Sequence, residues 1–269
     1  MTTLTEVKAL QQRMWATGDF SIIAWNTVLP GELLCEAAEL RAGQRVLDVA
    51  AGSGNTALSA ARRNCEAVGI DYVPALVERA RERAAAERLA AQFEVGDCEE
   101  IPFPADSFDV VLSVYGSIFA PNPDKAAQEL VRVCRPGGRI GMANWTPEGF
   151  WGQAFGLQAR YLPPPPGVRP PAEWGTEPRL RELFGAAISS MQINRRTALF
   201  RYRSSAHWIE VFSTYFGPVM RTLAALDDER RRAYLADLDA ALNRFNRSGD
   251  GTLVVGADYL EVVMTKKAG

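Results

Sequence analysis

Apolar positions recur at helical spacing through roughly the first 40 residues. Phe20, Ile22, Ile23 and Trp25 follow Asp19, a side chain suited to capping a helix, and Leu33, Leu34, Ala37, Ala38 and Leu40 extend an apolar face. Beyond this the period changes. Short apolar runs predict strands over 46–49, 67–70, 92–95, 108–114 and 139–144. Between them helices are predicted over 55–63, 74–89 and 124–134, with Pro74 in the first turn of one and Asp124 near the cap of another. The turn Pro136-Gly137-Gly138 precedes the fifth strand. Such alternation implies right-handed crossovers and a mostly parallel sheet, an α/β fold.

After Asn144 the rhythm breaks. Residues 146–177 are rich in Pro, Gly and aromatics, and Pro163-Pro164-Pro165-Pro166 fits neither a helix interior nor a central strand. An ordered surface loop is expected there. A short helix over 178–184 and a long strand, or bent strand pair, over 188–202 follow. Helices are predicted over 205–216 and 227–245; in the second, Tyr234, Leu235, Leu238, Ala241, Leu242 and Phe245 share a face. The turn Ser248-Gly249-Asp250-Gly251 leads to a seventh strand over 253–265, with Tyr259, Val262 and Met264 among its apolar residues. The organisation expected is an N-terminal helical segment (1–40), a core (41–145), substrate-side elements (146–252) with a helical cap inserted at 204–247, and a final strand (253–269) that completes the core sheet.

Composition narrows the classes. Of 269 residues 47% are hydrophobic, enough for a sizeable core. The net charge is −2 and there is no basic tail, so neither nucleic acid nor an anionic membrane is an expected partner. Cys35, Cys65, Cys98 and Cys134 form no C-x-x-C pair and His207 is the one histidine, so no metal site is expected. The cysteines read as reduced thiols. The N-terminus does not read as a signal peptide, and no apolar run approaches the roughly 18 residues of a membrane span. A cytoplasmic location is therefore expected. Association into a homodimer stays open.

The candidate chemistry starts at Val46-Leu47-Asp48-Val49-Ala50-Ala51-Gly52-Ser53-Gly54-Asn55. A strand opens into a loop of small residues that lets backbone approach a ligand, and a helix start follows with its unpaired N–H groups. Gly52 to Ala57 fits the dinucleotide fingerprint G-x-G-x-x-G/A, and Asp71 stands about 20 residues on, as ribose binding expects. That reading makes the protein an NAD(P)-dependent oxidoreductase. Asp48 opposes it, because a carboxylate just before the glycines repels a pyrophosphate. It suits a cationic ligand, such as the ammonium and sulfonium of S-adenosylmethionine (SAM).

The stretch resembles motif I of the class I SAM-dependent methyltransferases, V-L-D-x-G-x-G-x-G, with Ala50 in place of the first Gly, a substitution expected to be mild. Further stretches follow in order: Gly96-Asp97-Cys98-Glu99; Ile101-Pro102-Phe103 and Ser107-Phe108-Asp109-Val110-Val111, similar to L-P-F…S-F-D-V-V; and Arg135-Pro136-Gly137-Gly138, similar to L-x-P-G-G. The resemblance covers roughly residues 40–145 well and 250–266 loosely, and is nearest the quinone-biosynthesis and other small-molecule methyltransferases. It implies a Rossmann-like, mostly parallel seven-stranded sheet with an antiparallel last strand.

The resemblance also implies site residues. Asp48, Ala50, Ala51, Gly52, Ser53 and Gly54 form the loop around SAM or its product S-adenosylhomocysteine (SAH). Asp71 takes the ribose and Tyr72 the adenine face. Asp97 and the Cys98 backbone take the adenine edge, and Ser113-Val114, ending the fourth strand, supply a carbonyl for the methionine ammonium. The segment ending in Phe20 folds over the methionine end, with plain core packing as the alternative. No N-P-P-Y/F motif follows the fourth strand, which disfavours methylation of nucleic-acid or glutamine amines.

Methyl transfer from a sulfonium is an in-line displacement, and a base is needed only if the acceptor must first lose a proton. His207, Tyr115 and Tyr215 are the weak candidates, and capping competes for His207. Trp145, Trp151, Trp174, Trp208, Phe150, Phe155, Tyr161, Phe212, Tyr215 and Phe216 gather beyond the core motifs. They suit a small, apolar or aromatic acceptor, unless they are the core of the cap. A protein that binds SAM without methylating stays open as well.

Overall fold

The computed structural model describes residues 3–268. The N-terminal segment forms α1 (Leu4–Trp15), α2 (Ser21–Ala24) and α3 (Val28–Ala37). Helix α1 starts with a capping box: Thr3 Oγ1 accepts from the Glu6 N–H, and Glu6 reaches back to the Thr3 N–H. The position before α2 is Phe20, not Asp19; Asp19 stands one residue further out and accepts from the Ser21 N–H at 3.0 Å.

The alternating region forms β1 (Arg45–Val49), α4 (Asn55–Arg62), β2 (Glu66–Asp71), α5 (Pro74–Glu87), β3 (Ala91–Val95), β4 (Phe108–Val114), α6 (Pro123–Val133) and β5 (Cys134–Trp145). The cap of α6 is Asn122, whose Oδ1 accepts from the Lys125 N–H, and Asp124 lies near it in the first turn, as expected. Strand β5 begins earlier than the Pro-Gly-Gly turn implies. Its pairing with β4 passes from Phe108 opposite Cys134 to Val110 opposite Arg139, so the turn bulges out of a continuing strand.

The remainder forms α7 (Phe150–Tyr161), α8 (Glu177–Phe184), β6 (Ile188–Tyr202), α9 (Ser205–Tyr215), α10 (Gly217–Ala225), α11 (Asp228–Phe245) and β7 (Leu253–Lys266). Two helices depart from the expected set. Helix α7 occupies part of the Pro- and Gly-rich stretch, starting directly after Gly149 and burying Phe150, Trp151, Ala154 and Leu157. Helix α10 follows α9 with only Phe216 between them, and Pro218 stands in its first turn. The four-proline tract is mostly exposed loop, as expected.

The sheet order is β3-β2-β1-β4-β5-β7-β6. Pairings from β3 through β5 are parallel, and β7 runs antiparallel to both β5 and β6. The chain turns outward in opposite directions from β1 and β4. Their carboxyl ends therefore form the switch point where open α/β sheets bind ligands. Val46, Leu47 and Val49 are fully covered, as a central parallel strand requires. One apolar cluster runs from Leu47 and Val49 through Trp145 and Trp151 to Trp208, Phe212 and Leu242, so the inserted helices share the core of the sheet.

Candidate active site

The loop after β1 lies at this switch point. Gly54 has φ of +87°, and a Cβ there would stand 2.8 Å from the Phe93 ring, so both backbone and packing require glycine. Ala50 is less mild a substitution than its size implies. It too is left-handed, at φ +54°, which costs an ordinary residue about 1–2 kcal/mol. Room for its methyl comes from Gly116, where a Cβ would lie 2.6 Å from that of Ala50.

Carboxylates fix the loop from behind. Asp71 Oδ2 accepts from the Gly52 N–H and its Oδ1 from the Val73 N–H, both at 2.9 Å. Asp71 thus ties the loop after β1 to the turn that leads into α5. Burial raises its pKa to about 6. Asp48 Oδ2 accepts from the Ala57 N–H in α4 at 2.9 Å. It is 1% exposed, and burial pushes its pKa up to about 8. Asp97 Oδ1 accepts from the Glu99 N–H, while its Oδ2 meets Lys8 Nζ at 2.6 Å. The same ammonium lies 2.7 Å from Glu99. Burial raises the Tyr72 phenol and Cys98 thiol above their ordinary ranges, so both stay protonated.

One cavity joins these groups. Asp48, Ala50, Ala51, Gly52, Ser53, Asp71, Tyr72, Asp97, Cys98, Val114 and Phe20 line it. Gly54 and Ser113 do not. Gly54 packs against Phe93 and Ala80. The Ser113 hydroxyl is spent on Val49 O and Ser117. Lys8 and Gln11 line the cavity unforeseen, one helical turn apart on α1. The capping box Thr3-Leu4-Thr5-Glu6 was the available sign of that helix. Arg83 was also missed: from α5 it donates to Ser53 O at 2.6 Å and to Asn55 Oδ1 at 2.7 Å, bracing the loop.

A family model described as a methyltransferase domain matches residues 46–138. An uncharacterized protein of Mycobacterium tuberculosis is 38% identical over 237 residues, 87% of this chain and 86% of that protein. A demethylmenaquinone methyltransferase of Deinococcus radiodurans is 36% identical over 144 residues, 52% of this chain and 58% of its own. The crystal structure of the YcgJ protein of Bacillus subtilis matches with a TM-score of 0.62 at 24% identity, covering 88% of this chain and 97% of that one. The chain belongs to the class I SAM-dependent methyltransferases. The cyclase SpnF shares the fold with a TM-score of 0.56 at 21% identity, over 90% and 81% of the two chains. A fold alone therefore does not fix the reaction.

The cavity of this methyltransferase fits the family's cofactor. Carboxylates and exposed loop backbone line one end, and the buried Gln11 Oε1 there has no protein partner. The other end is aromatic: Trp15, Phe119, Trp145, Trp151, Phe155, Phe200 and Phe216. Trp174, Trp208, Phe150, Phe212, Tyr161 and Tyr215 lie outside it, and Trp208 stacks on Phe212 at 3.7 Å within the cap.

The three candidate bases separate. His207 stands off the cavity at the start of α9; its backbone N–H donates to the cap residue Ser204, and its Nδ1 accepts from the Arg203 N–H at 3.3 Å. Its ring is thus held beside the start of α9, where Ser204 is the cap. Tyr215 ends α9 and also misses the cavity. Tyr115 does line it, at the end of β4, with its ring stacked on Trp145 at 3.6 Å. Burial holds its pKa well above 10, with Tyr259 and Glu261 adding in the same direction, so near neutral pH it is no base. Among the described residues no group of His, Cys, Asp or Glu is arranged to hold a metal ion, and no helix is long and apolar enough to cross a membrane.

Proposed function

We propose that the protein transfers the methyl group of SAM to a small, apolar or aromatic acceptor. The observation that carries this reading is the two-ended cavity: the family's motif residues line one end and an uncharged aromatic wall the other. Asp71 and Asp97 hold the ribose and adenine, the Ala50–Ser53 backbone and Asp48 face the methionine part, and Phe20 covers it. SAM supplies an electrophilic methyl on sulfur. Held there, it would give that methyl to an acceptor placed in line with the carbon–sulfur bond, the bonding electron pair staying on sulfur.

The chain contributes alignment and exclusion of water. Since Tyr115 stays protonated and His207 and Tyr215 stand away, the acceptor arrives already nucleophilic. Calorimetry with SAM and SAH tests the reading. Binding is expected, with a loss of at least tenfold on Asp71→Ala; no heat from pure protein, or an unchanged affinity in the variant, overturns it. Labelled SAM offered with a metabolite extract should pass label to an apolar product. A protein that binds SAM yet never transfers label would be a binding protein of the same fold.

A further inference from the structure

The side chain of Asn55 joins three elements. It opens α4, directly after the loop that follows β1. Its Nδ2 donates to Ala24 O at 2.7 Å and to Thr27 Oγ1 at 3.0 Å, both in the N-terminal segment. Its Oδ1 accepts from Arg83 of α5 at 2.7 Å. A guanidinium only donates and a backbone carbonyl only accepts, so both neighbours dictate the same orientation of the amide. The guanidinium also donates to Ser53 O at 2.6 Å, so one group holds the loop and the amide together. Asn55 lines the cavity, yet both its amide hydrogens are already spent on protein.

The segment tied in this way lies across the cofactor end. Phe20, Ile23, Ala24 and Thr27 line the cavity. A Cβ on Gly52 would stand 3.5 Å from the Phe20 ring, so that ring lies against the loop. Helix α3, just beyond, is fastened to α4 separately: Glu32 accepts from Ser59 Oγ and pairs with Arg62 and Arg63. Residues 19–27 have less to hold them. Asp19 stands 3.5 Å from Arg79 in an exposed pair, which contributes little. Asn26 Nδ2 donates to the Tyr202 hydroxyl of β6, away from the loop. Among the described residues, the hydrogen bonds that join 19–27 to the loop and α4 are those of Asn55.

We propose that Asn55 is a positioning residue: its amide, oriented by Arg83, docks the segment carrying Phe20 onto the cofactor loop and so sets how long the cofactor stays bound. The assignment rests on the methyltransferase reading above. Asn55 acts through Phe20 and the loop, with no hydrogen left to donate to the cofactor itself.

The test follows backbone amide exchange by mass spectrometry and SAH release by stopped flow, both on the full chain. Asn55→Asp keeps the size of the side chain and the oxygen facing Arg83. It removes both amide hydrogens and sets a carboxylate oxygen against Ala24 O. With SAH bound, exchange over residues 20–27 should rise at least tenfold, while exchange over 46–49 and 56–62 changes less than twofold. SAH release should speed at least fivefold. A merely structural role would loosen the strand and α4 together with the segment. Thr27→Val takes away one partner from the segment side and leaves the loop intact. It should give the same pattern at smaller amplitude, and it decides if Asn55→Asp does not fold. Unchanged exchange over 20–27, or an equal rise over 20–27 and 56–62, overturns the proposal. So does an unchanged release rate beside a loosened segment. Each of these outcomes, in a protein that binds SAH, overturns this assignment alone. Absence of SAH binding by the wild type removes the methyltransferase reading and this assignment with it.

Discussion

Asp48 is a carboxyl held 1% exposed beside a cavity meant for a cation, and its titration follows from that position. Its pKa of about 8 and that of Asp71, about 6, both lie above the ordinary 3.8. In the cofactor-free protein these groups bind protons more readily than in the unfolded chain. Their contribution to stability is therefore fully present below about pH 4 and is lost as pH rises through 6 and then 8. Binding of an ammonium-bearing ligand reverses the preference, because it favours ionised Asp48. SAH affinity should rise from pH 6 to 8, by up to roughly tenfold per unit, and level off above. Calorimetry at several pH values, with Asp48→Asn as the flat control, checks this; an affinity that falls with pH contradicts it. Ala50→Gly relieves the left-handed alanine but restores unfolded-state freedom, so a gain of at most about 1 kcal/mol is expected from denaturant titration. At this scale Asp48, Gly52, Asp71 and Asp97 were legible because their motifs are contiguous. Lys8 was not, since it meets Asp97 from 89 residues away, and Gly116 shows its purpose only against Ala50.

Helix α1 closes the cofactor end by contacts that no local pattern announces. Lys8 pairs with Asp97 and Glu99, and Gln12 Nε2 donates to Tyr72 O at 2.5 Å. The far end of α1 lies on α10, where a Cβ on Gly217 would stand 2.0 Å from Met14 O. Gly217→Ala must push the two elements apart, with an expected loss of about 1–3 kcal/mol, the cost of overpacking a close contact. Lys8→Ala removes two ion pairs and leaves the buried Glu99 without its ammonium, so it should lower thermal stability by about 1–3 kcal/mol and speed SAH release several-fold in stopped-flow measurements. An unchanged release rate would place α1 outside the cofactor's path. Helices α7 and α10 escaped the sequence reading for a shared reason. Gly, Pro and aromatics weaken a local helical signal, and tertiary packing supplies what propensity lacks. Trp151 buries against Phe155 and Phe216, and Thr222 in α10 is fully covered. The strands of the sheet were legible because buried parallel strands are short, dense apolar runs with little else to be.

The whole molecule behaves as one unit because the insertion has no core of its own. Trp208, Phe212, Leu238 and Leu242 belong to the same cluster as Leu47 and Val49 of the central strand. The cap cannot open without exposing the wall of the cavity, since Trp151 touches both Phe200 of the sheet and Phe212 of the cap. Far-ultraviolet circular dichroism and tryptophan fluorescence should therefore report a single, coincident thermal transition. SAH at about 100 times its dissociation constant adds about 2.7 kcal/mol by mass action. For a chain of this size that is a rise of roughly 5–10 °C in Tm, and both signals should move together. Trp208→Ala, which empties the cap side of the shared cluster, should cost about 3–5 kcal/mol. It should lower both transitions equally although the residue lines no part of the cavity. Separate transitions, with only one shifted by SAH, would show that the sheet and the inserted helices fold independently. The aromatic end would then be a seam between two bodies instead of a hollow within one core.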